Sequence, residues 1–201
     1  MASLAVCSAA AFAFSFVKWK GRDLALTVIL ATLIVPFETI AIPLLLEASK
    51  LPWIGLDGIT WGWLNSYRVQ IVPFIADGLT IYLFVQYFKD LPGELIEAAR
   101  MDNCGEFTIY WRVVVPLLGP VFGTLGLIAF IASWNNFIGP LVVMRSPEMY
   151  TFPLALRSVQ SPVDTEWGAL MAGAAIATLP LIVLFVASSR QLISGLTTGA
   201  V

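Results

Sequence analysis

Long runs of apolar residues are the feature that most limits what this 201-residue chain can fold into. A helix needs about 20 mainly apolar residues to cross the hydrocarbon core of a bilayer. Only helices and closed barrels satisfy all their backbone polar groups in lipid. The runs therefore predict an all-α, polytopic membrane helix bundle with about five transmembrane helices, forming a single domain over 1–201. The predicted spans are Ser3–Val17, which is short, Leu24–Leu46, Val69–Phe88, Leu117–Val143 and Ala169–Ser188.

The composition supports a membrane protein and argues against several other functions. Charged residues make up 12% of the chain, against about 25% in ordinary soluble domains. The net charge of -2 gives no basic surface for nucleic acid. The chain has no histidine, which removes imidazole acid–base chemistry and most zinc sites. Cys7 and Cys104 lie far apart in unlike surroundings, so we interpret them as free thiols. No catalytic, cofactor-binding or metal-binding residue is predicted.

The first apolar run is interpreted as a span and not as a signal peptide. A signal peptide carries basic residues before its apolar core, whereas Lys18, Lys20 and Arg22 follow Ser3–Val17. We therefore interpret Ser3–Val17 as a span. Truncation of the chain in front of it stays open as an alternative.

Lysine and arginine between the runs predict the orientation. Cytoplasmic loops carry an excess of these residues. The first, third and fifth connecting segments hold more of them than the second and fourth, which places the 89–116 loop and the C-terminus in the cytoplasm. The first set is Lys18, Lys20, Arg22, Lys89, Arg100, Arg112 and Arg190, and the second is Lys50, Arg68, Arg145 and Arg157.

The charged segment 89–116 begins with a predicted helix. Gly93–Met101 consists largely of good helix formers. Glu94 and Glu97 lie in its first turns, where acids suit the helix dipole. Glu97 and Arg100 are three residues apart, so we expect them to pair on one helix face.

A turn and a second helical piece complete a predicted hairpin. Asn103 and Gly105 both tolerate left-handed backbone, so Asp102–Gly105 is predicted as a turn. Glu106–Val115 is a second amphipathic piece, and Pro116 marks its return to the membrane. With two small side chains, Ala98 and Ala99, in a charged frame, this hairpin suits docking into a groove of another protein.

The spacing in this hairpin resembles the EAA loop of the membrane subunits of binding-protein-dependent ABC importers. That pattern runs Glu-Ala-Ala, three residues, Gly, nine residues, Ile, one residue, Leu-Pro. Glu97–Ala99 supplies the first element, and Asn103 takes the place of the glycine. Val113, Val115 and Pro116 take the places of Ile, Leu and Pro. Asn for Gly is the main departure, and Gly105 is an alternative source of flexibility.

The resemblance to the carbohydrate-importer branch, of the maltose type, runs in order along nearly the whole chain. Members of this family usually have six spans, and this chain starts at the second. The first span is then either missing or outside this sequence. The stretches that carry the resemblance are 9–14, 20–22, Pro36–Glu38, Ile42–Leu44, Leu91–Leu95, Trp134–Phe137, Thr151–Leu154 and Gly195–Val201.

The resemblance implies a permease subunit in the plasma membrane of a prokaryote, working in an assembly and not as an enzyme. Its partners would be membrane lipid, a second permease that is a different chain, two ATP-binding subunits and an extracytoplasmic substrate-binding protein. ATP and Mg²⁺ would bind the ATPase, since this chain shows no phosphate-binding Gly-x-x-x-x-Gly-Lys-Ser/Thr pattern. The residues implied in coupling to the ATPase are Glu94, Glu97, Ala98, Ala99, Arg100, Asp102, Asn103, Gly105 and Pro116.

Two acids lie inside predicted spans and are candidates for the solute pathway. Acids in lipid are costly and usually face a cavity or a polar partner. Glu38 either lines the pathway or bonds backbone donors freed near Pro36. For Asp77 a polar contact inside the protein is favoured.

Trp134, Asn135 and Asn136 are the other candidates for the pathway. An aromatic face beside two amides suits the apolar face and the hydroxyls of a sugar. The same residues also suit a helix break before Gly139-Pro140, and the excess length of Leu117–Val143 supports a bend there.

Two other function classes are compatible with parts of the sequence. Glu38 and Asp77 suit a proton-coupled secondary transporter, in which the hairpin is an ordinary loop. An intramembrane aspartyl hydrolase needs a pair of acids, and only Asp77 lies well inside a span. Only the ABC importer explains the spacing of the hairpin.

Overall fold

The computed structural model describes residues 1–55, 58–160 and 165–197, with side chains described as far as Ser188. Helices dominate this part of the chain, as predicted, and one short two-stranded antiparallel sheet accompanies them. The elements are α1 (Ala2–Ser15), α2 (Arg22–Thr32), α3 (Phe37–Ala48), β1 (Pro52–Gly55), β2 (Gly58–Trp61), α4 (Tyr67–Ile71), α5 (Gly78–Lys89), α6 (Gly93–Met101), α7 (Glu106–Ile109), α8 (Val115–Leu117), α9 (Gly119–Trp134), α10 (Ile138–Val143), α11 (Phe152–Ser158) and α12 (Trp167–Thr197). Single turns of 3-10 helix cover Val72–Phe74 and Pro147–Met149, and a π-helical turn covers Tyr110–Val114.

All five predicted spans are largely helical, although Val69–Phe88 is interrupted before Gly78 and Leu117–Val143 is interrupted after Trp134. In the part of the chain described, Tyr67–Lys89 and Trp167–Ser188 are each long and apolar enough to cross a membrane. Two further spans arise only if a bent pair counts as one, namely α2 with α3, and Glu106–Leu117 with Gly119–Trp134. The remaining apolar helix, α1, is shorter.

The predicted span Leu24–Leu46 is not one continuous helix. Helix α2 ends at Thr32 and α3 starts at Phe37. Pro36 stands before α3 with φ −66° and ψ 142°, and proline also disfavours helical backbone at the residue before it. The break is therefore a direct effect of Pro36, which the hydropathy of the run does not register.

The chain divides into two compact units, each with its own core. The first holds Met1–Ile34 and Ile75–Ala129, together with the chain from Val186. In it α1 packs along α5. Phe84 and Phe88 are fully buried, and Phe84 meets Phe122 of α9 with ring centroids 4.9 Å apart. Both cysteines are free thiols, as predicted.

The second unit holds Val35–Phe74 and Phe130–Phe185. Helix α10 packs on α3 and α4, and Ala48, Val69 and Val143 are buried between them. Asn65 has a left-handed backbone with φ 54°. Its side-chain oxygen accepts hydrogen bonds from the backbone N–H groups of Arg145 and Ser146, both at 3.0 Å. This amide thus fastens the segment before α4 to the segment after α10.

Candidate functional site

The first leg of the predicted hairpin, α6, has one face in the core and one face in solvent. Ile96 is buried, and Ala99 packs partly buried against the same cluster. Glu94, Glu97, Ala98 and Met101 are exposed. Their spacing of i, i+3, i+4 and i+7 places them on one helix face. Of the two alanines, Ala98 is therefore the one presented outward, while Ala99 holds the helix against the body.

The end of α6 is a Schellman motif built on Asn103. Asn103 has φ 55°, which confirms the left-handed turn predicted from its residue type. Its N–H donates to the carbonyl of Arg100 at 3.0 Å, and the N–H of Cys104 donates to the carbonyl of Ala99 at 3.1 Å. These two bonds satisfy carbonyls that a helix end otherwise leaves unpaired. Gly105, with φ −69°, instead begins α7, so the turn does not depend on it.

Arg100 joins the two legs of the hairpin to the first helix. Its guanidinium donates from Nε to Oε1 of Glu106 at 3.0 Å and from Nη2 to Oε2 at 3.2 Å. Nη2 also donates to the carbonyl of Phe16 at 2.9 Å, just beyond the end of α1. The predicted pair between Glu97 and Arg100 is wrong. Glu97 lies on the exposed face of α6, whereas Arg100 turns toward Glu106, where a two-pronged bond to a carboxylate is available.

The second leg is anchored through a π-helical turn. Tyr110 opens this turn and is buried. Its hydroxyl lies 2.7 Å from the hydroxyl of Ser8 in α1, and the pair is buried. Inserted π turns often occur at functional sites. Pro116 lies inside α8, and the backbone departs from helical geometry at Leu118, with φ −100° and ψ 20°. The break in helical geometry therefore falls at Leu118, and the return to the membrane at Pro116 stays a prediction.

Exposed apolar side chains on the hairpin were not predicted from the sequence. Met101 is 82% exposed, Phe107 75% and Trp111 50%, and the rings of Phe107 and Trp111 meet edge to face at 6.3 Å. The sequence could have indicated the exposure of Met101, because this residue follows Glu94 by seven positions and so lies on the same helix face as the charged residues. Around it, Glu94, Glu97 and Asp102 form no ion pair with any residue described. On α6 itself, the exposed Ala98 and Met101 thus lie in a frame of these three acids.

Asp77 begins helix α5 and has a structural role there. Its carboxylate accepts a hydrogen bond from the backbone N–H of Thr80 at 2.7 Å and from the Thr80 hydroxyl at 2.6 Å. This is an N-cap, in which a side-chain oxygen satisfies a donor of the first helical turn. The predicted polar contact is present, but Asp77 itself is exposed, so the contact is a local one at the start of a helix and not one inside the protein.

Glu38 lies in the first turn of α3 and is exposed. An acid in this position suits the dipole of the helix. Among the residues described, its carboxylate accepts no backbone hydrogen bond. The suggestion that Glu38 bonds donors freed near Pro36 is therefore wrong, and its place in a solute pathway stays a prediction.

The three residues at the end of α9 have separate surroundings. Trp134 stacks between Phe130, at 5.5 Å, and Phe152, at 6.3 Å, and its indole N–H donates to the carbonyl of Ala177 at 3.1 Å. Asn136 accepts from the N–H of Gly139 at 3.3 Å at the start of α10. These contacts give Trp134 a packing role and Asn136 a role in the helix break. The exposed Asn135 bonds locally to the carbonyl of Ile131 and is the one of the three most available to a solute.

Comparisons with known proteins agree with this architecture. The family of inner membrane components of binding-protein-dependent transport systems matches residues 4–197. The chain is 39% identical over 183 residues to an arabinooligosaccharides transport system permease protein of Bacillus subtilis, covering 91% of this chain and 62% of that protein. It is 34% identical to a lactose transport system permease protein of Rhizobium radiobacter, covering 96% of this chain and 67% of that protein.

A solved structure shares the fold. It is the crystal structure of a bacterial ABC transporter involved in the import of the acidic polysaccharide alginate, matched with a TM-score of 0.77 and 24% identity. The match covers 94% of this chain and 68% of the other. This chain thus spans less than two thirds of the Bacillus relative's length. It belongs to the family of inner membrane components of binding-protein-dependent transport systems.

Proposed function

We propose that this chain is the permease subunit of an ATP-driven importer that carries a sugar or oligosaccharide delivered by an extracytoplasmic binding protein. The support comes from the family match over nearly the whole chain and from relatives named for arabinooligosaccharide and lactose transport. Those relatives are named as permeases and not as enzymes, which agrees with the prediction that this chain is not an enzyme. Residues 1–201 would work as one transmembrane domain beside a second, different permease.

The hairpin of α6 and α7 is the proposed docking site for the ATPase. The observation that carries this proposal is the surface of exposed Ala98 and Met101 in a frame of three acids that form no ion pair within the part of the chain described. Such a surface fits a groove that has an apolar floor and basic walls, since complementary charge steers and orients protein association. A helix that binds in such a groove contacts it through side chains spaced i, i+3, i+4 and i+7, which is the spacing of the exposed residues of α6.

Movement of the docked hairpin would reach the membrane helices through two contacts. Arg100 ties the hairpin to the carbonyl of Phe16, and Tyr110 ties it to Ser8. Closure of two ATPase subunits would draw the hairpins of the two permeases together. The attached helices would then tilt as rigid bodies between inward-facing and outward-facing states.

Protection of an exposed cysteine on this surface tests the docking site. Cys104 is only partly exposed and packs against the core, so it is a poor reporter. We would replace both native cysteines by alanine and introduce Met101→Cys, because Met101 is 82% exposed. A membrane-impermeant maleimide is then applied to inside-out and right-side-out vesicles, with the ATPase bound or stripped. Glu148→Cys, also exposed and predicted to lie outside the cell, is the matched control.

We expect Met101→Cys to react only in inside-out vesicles and to be protected when the ATPase is bound. Glu148→Cys should react only in right-side-out vesicles, and the bound ATPase should not change its labelling. Labelling of Met101→Cys from outside would refute the proposed orientation. Labelling from inside that the ATPase does not change would refute docking at this hairpin.

A further inference from the structure

The two strands between α3 and α4 form a hairpin with two chemically different faces. Pro52 pairs with Trp61, Trp53 with Thr60, and Ile54 with Ile59. Residues directly opposite each other share a face, and successive residues alternate between faces. One face therefore carries Trp53 and Thr60. The other, which we call the outer hairpin face, carries Pro52, Ile54, Ile59 and Trp61.

The face with Trp53 and Thr60 is fastened to the second unit. The guanidinium carbon of Arg68 lies 4.6 Å from the ring centroid of Trp53, and Arg68 donates to the hydroxyl of Thr60 at 3.2 Å. Trp53 also meets Trp63 edge to face at 5.9 Å. These contacts hold the hairpin in one orientation, so the direction of its other face is set by the fold.

The outer hairpin face is entirely apolar and is uncovered. Ile54 is 80% exposed, Ile59 62% and Trp61 74%, and Pro52 is exposed as well. Four adjoining apolar side chains without one polar group among them are unsuited to contact with water. A contiguous exposed apolar patch marks a protein or membrane contact.

The position of the hairpin in the chain points to lipid as its occupant. Helix α3 ends at Ala48, and β1 starts at Pro52, so 49–51 can extend only about 10 Å. Beyond the first turn of α3, which carries Glu38 and Thr39, the exposed side chains are apolar from Ile40 to Leu46, and charge returns with Glu47 and Lys50. The next candidate span starts at Tyr67. The hairpin is therefore tethered at both ends to segments that meet the membrane boundary, the depth at which tryptophan is enriched.

We propose that the outer hairpin face inserts into the boundary between lipid headgroups and acyl chains. It would anchor the segment between α3 and α4 at a fixed depth, with its side chains about 5–10 Å into that boundary, as for other interfacial elements. Lys50, at the base of the hairpin, would extend its ammonium group toward the headgroups. This inference rests on the membrane location of the family and is independent of the solute and of the ATPase.

Spin labels can measure which medium surrounds this face. We would attach a nitroxide at Ile54→Cys or Ile59→Cys in a chain whose native cysteines are alanine. The chain, assembled with its partner subunits, is reconstituted in phosphatidylcholine and phosphatidylglycerol vesicles. Collision rates are measured with oxygen, which concentrates in lipid, and with a neutral nickel chelate, which stays in water. Val183→Cys, 65% exposed inside the Trp167–Ser188 span, is the lipid reference, and Glu148→Cys is the water reference.

We expect the oxygen rate to exceed the nickel rate at both hairpin sites, as at the lipid reference, with a smaller ratio because the boundary is shallow. A nickel rate above the oxygen rate, as at the water reference, would overturn the proposal. Low rates for both reagents would overturn it too, because they would mean that a protein covers the face. As a second measurement, Trp61→Phe should remove part of the fluorescence quenching that brominated lipids cause in the native chain, and unchanged quenching would contradict insertion.

Discussion

At the residue scale, the buried bond between Ser8 and Tyr110 is asymmetric, and the asymmetry can be measured. The hydroxyl of Ser8 also donates to the carbonyl of Ala5 in its own helix, at 3.2 Å. Among the residues described, the Tyr110 hydroxyl has no second partner. Removing the tyrosine hydroxyl thus leaves every group paired, whereas removing the serine hydroxyl leaves a buried phenol unpaired.

We predict that Tyr110→Phe lowers the free energy of unfolding by about 0.5–1 kcal/mol, the usual value for hydrogen bonds between membrane helices. Ser8→Ala should cost more, about 1–3 kcal/mol, because an unpaired buried donor adds its desolvation penalty. The double variant should recover most of that difference. Unfolding of the purified chain by denaturing detergent measures all three, and a larger loss for Tyr110→Phe than for Ser8→Ala would contradict this account.

Substitutions of Asp77 can distinguish a carboxylate with a structural role from one that carries protons during transport. An amide oxygen can accept from the N–H of Thr80 as the carboxylate does, so Asp77→Asn should keep both the helix cap and transport. Asp77→Ala should lose the cap and about 1 kcal/mol of stability. Unfolding and solute uptake are measured on the same preparations. An Asp77→Asn chain that is stable and yet fails to transport would favour the proton-coupled alternative.

At the scale of elements, the hairpin was predictable to the extent that its residues act locally. The good helix formers of 93–101 and the left-handed tolerance of Asn103 are properties of neighbouring residues, and both predictions are confirmed. The partner of Arg100 was missed because it depends on how α7 folds back and on the end of α1, 84 residues away from Arg100. Contacts of that range leave no periodic trace in the sequence.

The bridge made by Arg100 gives a prediction about coupling between elements. Arg100→Ala removes the bonds to Glu106 and Phe16 without touching the exposed face of α6. ATPase binding should therefore persist while transport per ATP hydrolysed falls several-fold, in line with coupling energies of about 0.5–2 kcal/mol. Arg112→Ala is the matched control, because Arg112 is exposed on the same hairpin and makes no ion pair with the residues described.

Uptake and ATP hydrolysis are measured together in vesicles that contain the full assembly. Loss of ATPase binding in Arg100→Ala would show that this side chain supports the docking surface itself. An equal loss of transport in Arg112→Ala would show that positive charge, and not the bridge, is what matters.

At the scale of the whole molecule, hydropathy predicted the membrane class and the placement of the helices, because burial in lipid depends on composition over a full span. It did not predict how the chain is partitioned. The break at Leu33–Pro36 puts α2 and α3 in different units, and Tyr67–Lys89 is divided between the units at Phe74. An apolar run that is broken in the middle has nearly the same mean hydropathy as an unbroken run of the same length. Only the backbone conformation distinguishes the two.

The acidic frame of the proposed docking surface allows a last prediction for the assembled transporter. With Glu94, Glu97 and Asp102 already around it, Ala98→Asp places a fourth acid where the apolar floor of the groove should receive a small side chain. An unpaired charge buried at an interface costs about 2–5 kcal/mol, so the Kd for the ATPase should rise at least tenfold. Ala98→Ser adds a small neutral group and should change the Kd little.

Glu97→Lys should also weaken binding and should reduce its dependence on salt, because it removes one attraction to the basic walls. All three are measured by titrating the ATPase onto the chain in lipid discs at two salt concentrations. If Ala98→Asp and Glu97→Lys both bind like the native chain, the ATPase docks elsewhere.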